Sequence, residues 1–489
     1  MLSVCAVEAR DKPNIIFILA DDLGYQDVGF NGSRWFETPH LDALAKESVV
    51  FDNASMYPTC SPSRAALFTG RHSFRTQVYT VPVLEKGKAA DNLYSRWTVE
   101  EKHPFYSQPL RSVGYQLIHL GKWHVVGPYP ERELDYPFKK KLGTPGSGDM
   151  SWVERHKREY VERFYPEGRG FHKNVGGTFW GDPARGYKAG YKSESGGYKA
   201  PFKNPFMQEG EEGDWLTDAL TDEAIRFMKE NKKKPFFINL HYYSPHRPSV
   251  ATSSDALEKY QKKVLDVGTG QSAQVTKEMA AYGTMVENLD MNIGRILDAL
   301  DVLGVRENTI IVFTSDNGYN GIQSFTQCLR GSKGQIYEGG LRVPALVHWS
   351  GRYKGARVDE NITVLDYFPT LLEWAGVEDY KSMLDGESIV PLLEGGSLGE
   401  RALFWHIASN YKTPANTVMK KGAWKLIQFL KTGEVELYHL VDDPLEERNL
   451  AKSHADRAKL MLDEMESWRE KHSVPLPESS ISNPKKDDE

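Results

Sequence analysis

Three places in the sequence put reactive side chains at spacings that chemistry can use. Asp21 and Asp22 follow directly on the apolar run Asn14–Ala20. Adjacent carboxylates repel each other unless a cation or strong donors compensate. Asp316 and Asn317 repeat the arrangement after the run Thr309–Ser315. Alone, either pair reads as a turn with capping side chains. Two pairs at the ends of two buried runs can converge on one hard cation, because carboxylate and amide oxygens suit Ca2+ or Mg2+. The third place is Cys60-Ser61-Pro62-Ser63-Arg64. Pro62 belongs in the first turn of a helix that Ala65–Phe68 continue and Gly70 ends, so Cys60 is expected at a helix N-terminus. There the free N–H groups and the positive end of the dipole favour a nucleophile or an anion. A buried structural cysteine is the competing reading. The helix start and the neighbouring Arg64 weigh against it.

These groups need a frame, and the hydrophobic pattern supplies one. Asn14–Ala20, Pro235–His241, Thr309–Ser315 and Val343–Trp349 are apolar runs of the kind found in strands buried on both faces. Tyr282, Val286, Leu289, Ile293, Leu297 and Leu300 recur in steps of three and four, which predicts a long amphipathic helix. Thr38-Pro39 predicts an N-cap and first turn for another helix around Leu41, Leu44 and Ala45. Strands alternating with helices imply an α/β fold with a mostly parallel sheet covered on both faces. Charged residues just past the C-terminal ends of such strands lie where open α/β sheets place their sites. His241, inside an apolar run, reads as a core histidine, whereas His246 follows Pro245 on a loop and suits catalysis better.

Two regions depart from this rhythm. Residues 131–204 hold no long periodic run, yet carry 13 aromatics and 12 glycines, with 15 Lys/Arg against 10 Asp/Glu. An irregular stretch of that length is usually functional or disordered, and its aromatics argue against disorder. After a catalytic domain over residues 13–400, the strands Trp424–Phe429 and Val435–Tyr438 and a helix around Leu460 and Met465 predict a C-terminal α+β subdomain over 401–473. Residues 474–489 read as a disordered tail, and 1–12 as a leader remnant or a disordered terminus.

Cys60-Ser-Pro-Ser-Arg64, followed by Ala-Ala-Leu-Phe-Thr-Gly-Arg71, resembles the signature of the type I sulfatases of the alkaline phosphatase superfamily. Gly121-Lys122-Trp123-His124, Ser244-Pro245-His246, Arg330-Gly-Ser-Lys333 and Glu338-Gly-Gly-Leu-Arg-Val-Pro344 are similar to further elements of that family, in family order. The likeness spans roughly Pro13 to Leu450. It implies an alkaline phosphatase-like fold and hydrolysis of sulfuric esters. It further implies that a maturation enzyme oxidises Cys60 to formylglycine. Asp21, Asp22, Asp316, Asn317 and the modified residue 60 would hold one Ca2+, with Mg2+ the lesser alternative. The hydrated aldehyde would attack sulfur and expel the alcohol, with His124 the implied base for releasing sulfate afterwards. Arg64 would hold the diol, while Lys122, Lys333 and His246 would contact sulfate oxygens or protonate the leaving oxygen. The resemblance to bacterial polysaccharide sulfatases implies a periplasmic or secreted protein.

Composition narrows the partners. The 489 residues carry a formal charge of −6, which argues against bulk capture of nucleic acid or anionic membrane. An apolar share of 40% excludes global disorder, and three cysteines exclude a disulfide scaffold. No window approaches the ~20 apolar residues of a membrane helix. Segment 131–204 carries +5, so the rest of the chain totals −11. Its flat aromatic faces and cations suit sugar rings bearing sulfates or uronates. Trp152, Trp180, Tyr187 and Tyr191 are therefore candidate substrate contacts, joined by His406, which with Tyr411 begins the C-terminal subdomain. The expected substrate is a sulfated poly- or oligosaccharide. The alternatives are an arylsulfatase, a formylglycine phosphodiesterase or phosphonate monoester hydrolase, and a silent glycan binder in which Cys60 stays unmodified. Two-zinc phosphatase chemistry is disfavoured, because neither acidic pair has a neighbouring imidazole in the sequence.

Overall fold

The computed structural model describes residues 12–84, 93, 95–127, 130, 150–183, 197–266, 273–321 and 329–477. Each predicted apolar run contains a strand. In chain order the first ten are β1 (Asn14–Ala20), β2 (Val49–Phe51), β3 (Ala54–Ser55), β4 (Gln116–Gly121), β5 (Lys173–Val175), β6 (Phe236–His241), β7 (Thr309–Ser315), β8 (Ala345–Trp349), β9 (Ala356–Val358) and β10 (Ile362–Thr363). Eight of them form one sheet in the order β5-β4-β6-β1-β7-β8-β2-β9, and β3 pairs with β10. The sheet is parallel except for β8, which runs against both neighbours.

Alternation along β1 shows why the run reads as apolar throughout. Ile15, Phe17 and Leu19 enter one core layer, and Ile16, Ile18 and Ala20 the other. Helices Cys60–Thr69 and Tyr367–Ala375 cover the first layer, and Leu216–Asn231 and Ala273–Leu303 the second. Along the last of these Tyr282, Val286, Leu289, Ile293 and Leu300 are fully buried, as their spacing predicts. Among the described residues no helix is long and apolar enough to cross a membrane.

Helix Pro39–Lys46 departs from expectation at its start. The Thr38 hydroxyl donates to Asp42 (3.0 Å) and makes no cap to the helix backbone. Asp290 of the long helix caps it instead, accepting from the N–H groups of His40 (3.1 Å) and Leu41 (2.8 Å). Within 131–204 the described residues include a helix, Met150–Phe164, and the edge strand β5. Among its described side chains Tyr160 and Phe164 are buried and Val161 packs partly.

The C-terminal subdomain is an antiparallel meander of β11 (Ala402–Ile407), β12 (Asn416–Lys421), β13 (Trp424–Phe429) and β14 (Val435–His439), followed by helix Ala455–Lys471. Phe404, Met419, Leu426 and Leu437 face Met461 and Met465 of that helix. Trp405, Val418, Ile427 and Tyr438 face the main core. Both sides of the meander are thus buried, which ties the subdomain to the large sheet. Leu460, a predicted packing position, is exposed, and Met461 takes its place. Ordered chain continues past the expected boundary at 474: Val474 is buried beside Phe74 and Tyr79. The carbonyl of Pro475 lies 3.0 Å from His406 Nε2.

Candidate active site

Strands β4, β6, β1 and β7 are neighbours and end level with one another. Gly121 and Leu19 both pair with His241, and Ala20 pairs with Ser315. Lys122, Asp21-Asp22 and Asp316-Asn317 therefore leave the sheet at one edge, and the loop after β6 adds His246. Against this edge stands helix Cys60–Thr69. It begins at Cys60 after an extended Thr59 and ends at Gly70, whose φ of 62° lets its N–H reach the Ala66 carbonyl (2.8 Å).

The groups form one network. Arg64 places Nε and Nη2 on Asp316 Oδ2 (3.0 and 2.8 Å) and Nη1 on the Lys122 carbonyl (2.8 Å). Lys122 Nζ lies 2.6 Å from Asp21, and Lys333 Nζ 2.5 Å from Asp22. Asn317 donates to Asp22 Oδ1 (2.8 Å) and Asn320 to Asp22 Oδ2 (3.2 Å). His246 Nε2 sits 3.7 Å from the same carboxylate. Sequence reasoning missed Asn320, although its place three residues after Asn317 is a usable signal.

Three carboxylates share this buried space with three cations. Burial raises the Asp21 carboxyl, with Lys122 opposing it. Asp316 is pushed up to about 6 by burial and by Asp21. At Asp22 burial is outweighed by Lys333 and His246, which hold the carboxyl low. Two crowded carboxylates that resist ionising mark a place short of positive charge. Asp21 Oδ1 and Asn317 Oδ1 are also buried with no hydrogen-bond partner among the described residues. Ligand atoms of Asp21, Asp22 and His246 lie within 4.8 Å of one another. The structure thus brings to Asp22 an imidazole that the sequence did not place beside it. The oxygens of Asp21, Asp22, Asp316 and Asn317 outnumber it, and an oxygen-rich donor set fits a hard divalent cation.

Two of the residues adopt left-handed backbone that non-glycine residues rarely take: Asp22 (φ 65°) and His124 (φ 58°). The His124 N–H bonds the Thr178 carbonyl (3.1 Å), and its Nδ1 meets Ser61 Oγ (3.4 Å). Gly181 lies over the ring so closely that a Cβ there would stand 2.9 Å from Cε1. Burial, then Lys122 and Arg64, hold this imidazole neutral. His246 donates from Nδ1 to the Arg247 carbonyl (2.8 Å), and burial with Lys122 and Lys333 brings it to about 4. Asp182, which no sequence signal marks, stands 3.5 Å from that Nδ1. The Cys60 thiol is buried beside Val81 and Trp97, and burial raises it more than Lys122 and Lys333 lower it. As encoded it is a poor nucleophile at neutral pH.

The proposed substrate contacts fare differently. Trp180 is buried against Phe179 in the segment that covers His124. Tyr187, Tyr191 and the side chain of Trp152 lie outside the described residues. His406 does not face the site. It is fully buried in β11 with Nδ1 on Thr417 Oγ1 (3.0 Å) and Nε2 on the Pro475 carbonyl, so neither ring nitrogen is left for a ligand. Tyr411, on the loop after β11, lies nearer the site. A Cβ on Gly334, next to Lys333, would stand 2.5 Å from its ring. Burial raises its phenol, and Lys333, Asp22 and Cys60 are near enough to act on it.

A family profile described as Sulfatase matches residues 13–377, which takes in every element of this network. The chain belongs to the sulfatase family. A second profile, N-sulphoglucosamine sulphohydrolase, C-terminal, matches residues 332–471. A protein named Sulfatase from Formosa agariphila is 28% identical over 521 aligned positions, covering 96% of this sulfatase and 90% of the relative. N-acetylgalactosamine-6-sulfatase from Canis lupus familiaris is 30% identical over 419 positions, covering 82% and 70%. The crystal structure of Ps i-CgsB in complex with k-i-k-neocarrahexaose matches with a TM-score of 0.72 at 27% identity, covering 97% and 96%. The sulfatase is thus a sulfuric ester hydrolase with the alkaline phosphatase-like fold that its motifs imply.

Proposed function

We propose that this sulfatase removes sulfate from a sulfated poly- or oligosaccharide in the periplasm or outside the cell, with formylglycine at position 60 and one divalent cation, Ca2+ in preference to Mg2+. The convergence of Arg64, Lys122 and Lys333 with Asp21, Asp22, Asp316 and Asn317 around the start of the Cys60 helix carries this reading. A sulfate ester is an anionic tetrahedron, and fixed cations aimed at its oxygens stabilise charge that develops during transfer. Asp21, Asp22, Asp316 and Asn317 would hold the metal. The cation supplies Lewis-acid polarisation, and the formylglycine supplies an aldehyde hydrate as nucleophile.

The rest falls to side chains the chain already carries. Arg64 Nη2 has its ion pair to Asp316 and no hydrogen bond among the described residues, so it has a hydrogen to offer the nucleophile. Lys122 and Lys333 neutralise sulfate oxygens. His246 donates from Nδ1 to a carbonyl and is held neutral, which leaves Nε2 an acceptor. The proton for the departing alcohol therefore falls to Lys333, which Asp22 keeps protonated against the effect of burial. His124, held neutral, takes a proton from the side chain at position 60 when sulfate is released. Burial of Cys60 requires its maturation enzyme to act before the chain closes over it.

The carbohydrate class rests on the likeness to N-acetylgalactosamine-6-sulfatase and to a structure holding neocarrahexaose, together with the Tyr411 ring beside Lys333. Two measurements test the reading. The tryptic peptide Glu47–Arg64 is expected to carry an aldehyde, and an unmodified thiol in active enzyme sinks the mechanism. Carrageenan and chondroitin sulfate oligosaccharides, 4-nitrophenyl sulfate and an aryl phosphate diester are then compared. At least one oligosaccharide is expected to exceed the aryl sulfate by about 100-fold in kcat/KM, because remote sugar contacts contribute to the transition state. Preference for the aryl sulfate or the diester would move the protein to the corresponding class.

A further inference from the structure

We propose that His241 is a positioning residue that aims the catalytic cations Arg64 and Lys122, through its ring and its carbonyl respectively; the catalytic assignment of those cations is the reading above. His241 ends β6 and is fully buried. Its sequence context is that of a core residue, and a leucine or phenylalanine would fill such a place. The ring instead sets Nδ1 3.1 Å from Arg64 Nη1. Arginine can only donate, so Nδ1 accepts and the ring hydrogen sits on Nε2. Nε2 is buried with no partner among the described residues. An unsatisfied N–H is a cost that packing alone does not explain. Holding Arg64 explains it.

The guanidinium is clamped at both edges. Asp316 takes Nε and Nη2, while the Lys122 carbonyl and His241 share the two hydrogens of Nη1. Without the His241 acceptor one Nη1 hydrogen loses its partner, and the plane can turn about the Asp316 contact. That turn would swing Nη2 away from position 60. The imidazole is itself fixed, with ring centroids 6.3 Å from Phe17, 5.4 Å from Phe68 and 5.3 Å from His119. His119 is held in turn by Asn239 (2.8 Å) and the Gly121 carbonyl (3.2 Å). The backbone of His241 does the second task. Its carbonyl accepts from the Lys122 N–H (2.8 Å), and a Cβ on Gly121 would stand 2.0 Å from that oxygen. Glycine at φ 85° is what lets the chain pass there and turn Lys122 toward Asp21.

Three readouts test this. In the unmutated protein with 15N-labelled histidine, His241 is expected to show a bare Nδ1 and a hydrogen on Nε2; the opposite tautomer overturns the proposal whether or not any variant folds. His241→Leu removes the acceptor at similar volume, and His241→Asn returns an acceptor oxygen near the place of Nδ1. For 4-nitrophenyl sulfate, H241L is expected to lose about 10–100-fold in kcat with KM within about threefold, and H241N to recover most of the loss. A crystal structure of H241L is expected to show the Arg64 guanidinium turned from the Lys122 carbonyl with Asp316 in place. An unmoved Arg64 in H241L, or H241N as impaired as H241L, overturns the proposal. If Arg64 turns as expected but the wild type hydrolyses no sulfate ester, the positioning role stands and the catalytic reading fails.

Discussion

Two influences meet at Cys60 in opposite directions. The helix start, Lys122 and Lys333 favour an anion there, whereas burial disfavours one, and burial wins. A residue tuned in this way is a poor thiolate and a well-placed precursor. Cys60→Ala is therefore expected to lose turnover by a factor on the order of 10^3 or more. Its thermal midpoint should stay near the wild-type value, since the β-carbon that packs against Val81 and Trp97 is kept and only the group beyond it is lost. His124→Ala is expected to cost about 10^2–10^4 in steady-state rate, the range for a lost general base. Its signature is more specific than the loss itself. With 4-nitrophenyl sulfate the variant should release one equivalent of nitrophenol per site and then stall, because the base is needed after the alcohol has left. Slow linear release without that burst would place His124 in the first step instead.

Between side chain and fold, the short helix Glu338–Leu341 joins the two parts of the molecule. Glu338 bonds Lys420 (2.8 Å) and Lys425 (2.9 Å), and Lys425 bonds Glu446 (2.8 Å), all of them buried. On the other side the Gly340 carbonyl accepts from the N–H of Gly318, next to the Asp316-Asn317 pair (3.0 Å). Burial alone would raise the Glu338 carboxyl, but Lys420 and Lys425 outweigh it and hold it below its ordinary 4.5. A depressed carboxylate stabilises the fold above the unfolded value and ceases to do so as pH falls through the folded one. Glu338→Gln is thus expected to cost about 3–5 kcal/mol near neutrality, the figure for breaking a buried pair. The gap from wild type in urea titrations should narrow below about pH 4. A constant gap would show that the charge contributes nothing. Elements like this one mark where the sequence is readable. The runs at Asn14 and Thr309 and the Cys60 helix are legible because each is a local pattern with a clear stop. Pairing of Glu338 with Lys420 and Lys425 spans more than 80 residues and has no local sign. His406 misleads for the same reason, since its register on β11 turns it toward Thr417 and Pro475 rather than the site.

For the whole molecule the proposed substrate raises the question of how a chain of net charge −6 would attract a polyanion. Its attraction must be local, because at 0.1 M salt charges beyond about 10 Å are screened. Arg64, Lys122 and Lys333 are buried and ion-paired, so they recognise one sulfate at contact and reach little further. On the proposed reading, longer reach would fall to segment 131–204, whose +5 stands out against −11 elsewhere. Tyr411 offers the remaining flat surface beside Lys333. Tyr411→Ala is therefore expected to raise KM for oligosaccharides about tenfold, by loss of ring stacking, while sparing 4-nitrophenyl sulfate. Salt separates the two sources of attraction. Raising ionic strength should lower kcat/KM more steeply for an oligosaccharide bearing several sulfates than for the aryl ester, which carries one charge into a buried site. Neutralising the lysines and arginines of 131–204 other than Arg169, which is buried and bonds the Glu100 and His103 carbonyls, should raise KM on the oligosaccharide, flatten its salt slope and leave the aryl sulfate unchanged. A rise of kcat/KM with salt would mean that the acidic body dominates the encounter. Equal losses on both substrates would assign the segment to the fold and leave sugar recognition to the Tyr411 side of the site.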